Sequence, residues 1–205
     1  MNIILDNKQR DKYKSVIDEL FYLCPEMMSR KINGANVQQA FMFDTVRNLS
    51  NKNSKLLCIG SFEDTACESL MKLGYNITAI DPVINTNLND FFNKSKEKYD
   101  LIFSTSVIEH VEDDELFIEQ ICKLLKNGGY GVLTCDFNDN YKNGDGKPGE
   151  DFRLYTKKDL LKRLNSVLNN NDCKIIGDVD YDSLPDFQYG IYKYSFATYN
   201  FIKNE

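Results

Sequence analysis

The stretch Lys55–Pro82, KLLCIGSFEDTACESLMKLGYNITAIDP, decides the fold. Lys55-Leu56-Leu57-Cys58-Ile59 is a short apolar run that stops at Gly60, and Asn76-Ile77-Thr78-Ala79-Ile80 is a second that stops at Asp81-Pro82. Between them, Asp64 to Leu73 carries apolar residues at helical spacing and ends at Gly74, a residue suited to the left-handed turn after a helix. Strand, helix and strand in immediate succession predict a βαβ unit, and therefore a parallel sheet covered by helices.

The same texture continues outward. A third strand is expected near Val83 to Leu88, in Asn-rich sequence, and a fourth at Tyr99–Phe103. Glu112-Asp113-Asp114-Glu115 then place acid at the positive end of a helix whose Phe117, Ile121, Leu124 and Leu125 form one apolar stripe. Asn127-Gly128-Gly129 ends it, and Tyr130–Cys135 reads as the fifth strand. A polar loop from Asp136 to Arg153 leads to a helix over Thr156–Leu168. Two strands follow, near Cys173–Asp180 and Tyr192–Ile202, as an antiparallel pair at the sheet edge. Upstream, helices are expected over Asp11–Leu23, ended by Pro25, and over Asn36–Leu49, with a basic loop from Met28 to Gly34 between them. The expected architecture is α/β: a Rossmann-like, doubly wound, mostly parallel sheet with an antiparallel C-terminal edge strand. It forms one domain over residues 1–205, an N-terminal helical segment (1–54) followed by an α/β core (55–205).

Composition narrows the function. The 205 residues, 42% of them hydrophobic, have room for one substantial core. With 25 Lys and Arg against 31 Asp and Glu, and no dense basic block, nucleic acid is not an expected partner. Neither a membrane-spanning apolar run nor a signal-like start at Met1–Asp6 is present, so a cytoplasmic, soluble protein is expected. The six cysteines lack C-x-x-C spacing and sit in apolar runs, which predicts reduced, buried thiols. His110 is the only histidine, which excludes a zinc site with two imidazoles. The Asp136–Gly146 loop fails as a calcium loop because Tyr141 occupies its sixth position; Asp136 and Asp151 remain an open pair, and the loop reads as a substrate loop with no metal site.

In an open parallel sheet, ligands bind beyond the carboxyl ends of the strands. The residues there are Gly60-Ser61-Phe62-Glu63-Asp64, then Asp81, then Ser104 to His110, then Asp136-Phe137-Asn138. Gly60 lets the backbone pass close beneath a ligand, and Asp81 can accept hydrogen bonds from two ribose hydroxyls. The dinucleotide pattern G-x-G-x-x-G is absent: Phe62 and Thr65 stand at the other glycine positions, and Glu63 and Asp64 would repel a pyrophosphate. A nucleoside cofactor without phosphate is expected, S-adenosylmethionine rather than NAD.

The blocks Lys55–Ser61, Ile80-Asp81-Pro82, Tyr99–Val111 and Leu124-Leu125-Lys126-Asn127-Gly128-Gly129 together resemble a class I S-adenosylmethionine-dependent methyltransferase. The first departs from that family's pattern: Cys58 replaces the customary acid, and Phe62 and Asp64 replace glycines. The resemblance implies that Gly60, Ser61 and Phe62 line the methionine and ribose side, that Asp81 holds the ribose, and that Ser104, Thr105 and Ser106 face the cofactor. It further implies that Asp90, or the backbone near Leu88-Asn89, faces the adenine and that Arg30 pairs with the cofactor carboxylate. Two groups are candidates for the base that takes a proton from the acceptor: His110, the one side chain titrating near neutrality, and Asp136 after the fifth strand. Ser104-Thr105-Ser106-Val107 stands where methyltransferases for nucleobase amines carry Asn or Asp, two prolines and an aromatic, so a small acceptor is expected. The segments Asp136-Phe137-Asn138 and Glu150–Thr156 are similar to sugar and polysaccharide-pathway methyltransferases, which implies O-methylation of a sugar or glycan hydroxyl. Another small metabolite, a protein side chain, or a non-catalytic nucleoside-binding role stay open, and the oligomeric state is not legible.

Overall fold

The computed structural model describes every residue from Met1 to Glu205. Short strands alternate with helices from β2 (Lys55–Ile59) onward: α5 (Thr65–Lys72), β3 (Asn76–Ile80), α6 (Leu88–Lys94), β4 (Tyr99–Thr105), α7 (Asp114–Leu124) and β5 (Leu125–Phe137). A π-helical turn (Asp159–Leu164) runs into α8 (Asn165–Asn170), ahead of β6 (Cys173–Ile175), β7 (Val179–Asp180), β8 (Phe187–Tyr189) and β9 (Tyr192–Lys203). The main sheet has the order β3-β2-β4-β5-β9-β6, and β8 pairs with β9. Pairings are parallel from β3 to β5 and antiparallel where β9 meets β5 and β6. The chain moves from β2 out to β3 and returns to β4 on the other side of β2, so the order reverses between β2 and β4.

Both sheet faces are buried, as near-continuous apolar strands require. Leu57, Ile59, Ile102 and Leu133 face one core with Phe117, Ile118 and Ile121 of α7. Leu56, Cys58, Leu101 and Phe103 face the other, against Val37, Phe41, Met42 and Phe43 of α4 (Asn36–Leu49). Helix starts follow capping chemistry: the side chains of Asp64, Asn87 and Asp113 accept from the backbone N–H groups of Cys67, Asp90 and Leu116. All six cysteines are buried and unpaired. No helix is long and apolar enough to cross a membrane.

The structure differs from expectation in five places. The helix expected to carry Leu125 and to end at Asn127-Gly128-Gly129 stops at Leu124, and those residues already belong to β5. There is no strand at Val83–Leu88: the Asp81 carbonyl accepts from the N–H groups of Ile84, Asn85 and Thr86, coiling the chain into a turn that Asn87 then caps into α6. The helix expected over Asp11–Leu23 is two, α1 (Asn7–Lys12) and α2 (Lys14–Leu23), broken at Tyr13. Pro25, expected only to end a helix, also begins α3 (Pro25–Arg30), because proline suits the first helical position. The N-terminal segment is not only helical, since β1 (Asn2–Ile3) pairs in parallel with β7, which splits the expected Cys173–Asp180 strand in two.

A buried ion-pair cluster ties the post-β5 loop to α7. Arg163 grips Asp114 with Nη1 and Nη2, both at 2.8 Å, and Arg153 Nη1 lies 2.7 Å from the same carboxylate. Tyr155 donates its hydroxyl to Asp114 at 2.8 Å. Burial disfavours the Asp114 charge, yet Arg163, Tyr155 and Arg153 together hold its carboxyl below the ordinary range. Asp114→Ala is expected to lower the free energy of unfolding by about 2 to 4 kcal/mol near neutral pH, the range for a broken buried pair, moderated by the part-exposed arginines. A carboxyl with a depressed folded-state pKa stabilises above its unfolded value of about 3.9, and that contribution fades as pH falls through the folded value. Denaturant titrations near pH 7 and pH 3 should therefore show the gap between wild type and variant narrowing in acid; an equal gap would mean that Asp114 acts by packing alone.

Candidate active site

The reversal of strand order leaves a crevice between the carboxyl ends of β2 and β4, where open α/β sheets bind ligands. A cleft of about 850 Å³ occupies it, of a size suited to a cofactor and a small acceptor. The glycine that opens it cannot be replaced by a larger residue. Gly60 has φ +79°, and a Cβ there would lie 2.2 Å from Val107 Cγ2, so the turns after β2 and β4 touch at this point. The N–H groups of Gly60 and Ser61 both donate to the Ile80 carbonyl, which carries β2 across to the tip of β3.

At that tip Asp81 is pinned. Its Oδ2 accepts from the Phe62 N–H at 3.2 Å and its Oδ1 from the Val83 N–H at 2.7 Å, so a mostly buried carboxylate is held at the cleft wall. Thr105 and Ser106 line the cleft from the end of β4, and the Thr105 hydroxyl is buried without a partner. Ser106, in the left-handed region at φ 50°, donates its hydroxyl to Gln38 Oε1 at 2.7 Å. Lys31 also lines the cleft; burial lowers its pKa while Asp64 and Glu63 pull it back up.

The opposite end holds four titratable groups. His110 follows β4 on a short turn (Ile108–His110), with Glu109 beside it. Asp136 comes from the end of β5, and Asp151 from the loop that Arg153 clamps; the Phe152 N–H donates to the Glu109 carbonyl at 2.8 Å. His110 Nδ1 lies 3.1 Å from Asp151 Oδ1 and 3.1 Å from the Glu150 carbonyl. Hydrogen bonding to Asp151 raises the His110 pKa above its ordinary value, against a smaller effect of burial. Burial, reinforced by the charge of Asp151, pushes Glu109 up to about 8. Burial also pushes Asp136 well above the carboxylate range, with the charges of Glu109 and Asp151 acting in the same direction. No three His, Cys, Asp or Glu side chains converge as a metal site.

Gly60, Phe62, Asp81, Thr105, Ser106, His110 and Asp136 are thus brought to one cleft. Four expected residues are not. Ser104 is fully buried in the sheet, donating to the Ile59 carbonyl at 2.9 Å. Ser61 does not line the cleft, and its hydroxyl is buried without a partner. Arg30 forms a surface ion pair with Glu63 at 3.0 Å, and its neighbour Lys31 is the basic residue that reaches the cleft. Asp90 lies exposed in the first turn of α6, accepting from Asn87 Nδ2, whereas Leu88 and Asn89, the alternative to it, line the cleft. Gln38, Gln39 and Tyr194 were not expected there, and Glu109 and Asp151, although in segments read as ligand-facing, were given no role of their own. Consecutive glutamines within the otherwise apolar face of α4 were the available signal for the first two.

A model of the methyltransferase domain matches residues 35–171, and the chain belongs to that family. The ubiquinone biosynthesis O-methyltransferase of Bartonella quintana is 28% identical over 109 residues, covering 44% of this chain and 44% of the relative. The chain spans about half the length of the curated relatives it matches. Two solved structures share the fold. A S-adenosylmethionine-dependent methyltransferase from Clostridium acetobutylicum is 14% identical with a TM-score of 0.54, covering 95% of this chain and 99% of that one. The 1,6-didemethyltoxoflavin-N1-methyltransferase of Burkholderia thailandensis, bound to S-adenosylhomocysteine, is 12% identical with a TM-score of 0.57, covering 95% of this chain and 90% of that one. Fold and family together define a S-adenosylmethionine-dependent methyltransferase domain of class I.

The open backbone at Gly60, the pinned Asp81 carboxylate and the unpartnered Thr105 hydroxyl fit that cofactor's nucleoside. Asp81→Ala is expected to weaken S-adenosylmethionine binding about ten-fold or more, the loss of roughly 1.5 to 3 kcal/mol for hydrogen bonds to a charged group. Calorimetry checks this. Unchanged affinity would remove Asp81 from the site.

Proposed function

We propose that this protein transfers the methyl group of S-adenosylmethionine to a hydroxyl of a small polar acceptor, a sugar or glycan, with His110 as the base. One observation carries the reading: the only imidazole in the chain stands at the mouth of the cleft, 43% exposed, with its Nδ1 held against a carboxylate that is only 2% exposed. S-adenosylmethionine supplies an activated methyl group. The protein's part is to bind the acceptor beside it and to remove the hydroxyl proton as the oxygen attacks.

Asp151 orients the ring. With Nδ1 engaged by Asp151 and the Glu150 carbonyl, Nδ1 carries the proton and Nε2 is left as the free acceptor. The carboxylate also stabilises the imidazolium that forms when Nε2 takes the acceptor's proton. Asp136 suits this task less well, because burial, with the charges of Glu109 and Asp151 acting in the same direction, disfavours the ionised form that a base needs. The names of the curated relatives support an oxygen acceptor. They also favour a second reading, an acceptor of the kind met in ubiquinone biosynthesis, with which the rings of Phe187, Tyr194 and Phe196 along the cleft are compatible.

A screen of sugars against phenols as methyl acceptors separates the two readings. For whichever acceptor turns over, His110→Ala should lower kcat by roughly 100-fold or more with little change in cofactor affinity. The base works when neutral, so the rate should rise with pH through a value above the ordinary histidine pKa of about 6.5. Asp151→Asn should move that inflection to lower pH and reduce kcat about ten-fold. An Asp136→Ala variant that loses far more activity than His110→Ala would transfer the role of base to Asp136.

A further inference from the structure

The inner end of the cleft is built for a positive charge that the protein does not supply. Glu109, Asp136 and Asp151 arrive from three separate segments and are 0%, 6% and 4% exposed, yet all line the same cavity. Neither oxygen of Glu109 has a hydrogen-bond partner, and Asp151 Oδ2 has none. Buried acceptors are normally satisfied, and a buried carboxylate normally faces a cation. The nearest arginines, Arg153 and Arg163, both turn to Asp114. Lys31 is the one lysine lining the cleft, and the acids it faces are Glu63 and Asp64. The groups facing the three carboxyls are His110, on Asp151 Oδ1, the hydroxyl of Tyr194, on Asp136, and the hydroxyl of Ser106, beside Glu109, while Glu109 and Asp136 also face each other; none of these supplies a fixed positive charge.

We propose that Asp136 and Asp151, with Glu109 on the floor, hold an ammonium group of the acceptor, so that the substrate class is an amino sugar or amino alcohol methylated on a neighbouring hydroxyl. The inference rests on reading this cleft as the acceptor site. An ammonium brings a full positive charge and several N–H donors to oxygens that lack them. A neutral polyol can hydrogen-bond to the carboxyls but brings no charge to offset their ionised forms, and a carboxylate or phosphate adds like charge to a cluster that already disfavours ionisation. An ammonium against carboxylates keeps its proton and has no lone pair, so it anchors the acceptor and the methyl group goes to oxygen. His110 remains free to take the proton of the hydroxyl.

Proton balance gives the proposal its own signature. In the absence of a ligand, burial pushes Glu109 up to about 8 and raises Asp136 as well, which favours protons on the cluster in place of a cation. A bound ammonium replaces one of them: the carboxyl ionises against R–NH3⁺ and its proton passes to solvent. Binding should therefore release protons and strengthen as pH rises toward about 8, the value to which Glu109 is pushed.

The test is calorimetry on the full chain saturated with S-adenosylhomocysteine. The probes are glucosamine, galactosamine and short amino alcohols, each with its N-acetyl counterpart and its amine-free parent. At least one amine should bind ten-fold or more tightly than both its counterparts, with a binding enthalpy that depends on the ionisation enthalpy of the buffer. Glu109→Gln and Asp136→Asn should abolish that preference, while their unchanged affinity for S-adenosylhomocysteine shows that they remain folded. No preference for any amine, a preference that survives Asp136→Asn, or binding without proton release would overturn the proposal. Amines that bind with all three signatures but yield no O-methyl product would refute O-methylation and leave the ammonium site standing. Efficient methylation of neutral sugars with no amine preference would do the reverse.

Discussion

The contact between Gly60 and Val107 is the constraint on which the rest of this structure depends. Because the sheet order reverses between β2 and β4, the two turns leaving those strands must diverge over a shared gap. Here they touch at the one residue without a side chain, with no room for a Cβ. That approach sets the crevice width and brings the Asp81 wall opposite the turn that carries Glu109 and His110. Moving either turn outward would separate the Asp81 end of the cleft from the end that carries Glu109 and His110.

The His110 end of the cleft depends in turn on a second, electrostatic anchor. The loop after β5 contributes Asp151, and this loop is tied down at both ends by backbone bonds to Asp136, Glu109 and Asn138, and by Arg153 on Asp114. Asp114 is well supplied with partners, whereas Glu109 and one oxygen of Asp151, a short distance along the chain from those same elements, have none. The contrast separates two kinds of buried acid: one satisfied within the protein and holding the scaffold, the other left open toward a cavity. Buried acceptors without partners are exceptional in a folded protein, and here they line the cleft of about 850 Å³.

Much of this was legible in sequence because it rests on local rules. Apolar runs ending at Gly60, Asp81 and Ser104 mark the strands and, with them, the rim of the cleft. Asp81, His110 and Asp136 fall just beyond strand ends and line that cleft. The failures share a cause: they depend on where a side chain points once the chain is packed. Ser104 and Thr105 are adjacent, but the strand alternates, so Ser104 enters the sheet and Thr105 the cleft. Arg30 and Lys31 are adjacent at the end of α3, and the helix geometry gives Arg30 to Glu63 and Lys31 to the cleft. The expected third strand lost to turn chemistry at Asp81 and to the Asn87 cap, both readable in principle from the Asp-Pro and Asn-rich run. Asp151 could not be linked to His110 from sequence, since their proximity is made by a long loop with no periodic pattern.

The most direct measurement of the account is a crystal structure with S-adenosylhomocysteine bound. It should show the ribose hydroxyls on the Asp81 carboxylate, the backbone of Gly60 against the ligand, and an empty space beyond the sulfur bounded by His110, Asp136 and Asp151. A ligand whose ribose lies away from Asp81, or whose sulfur points away from the His110 end of the cleft, would contradict it.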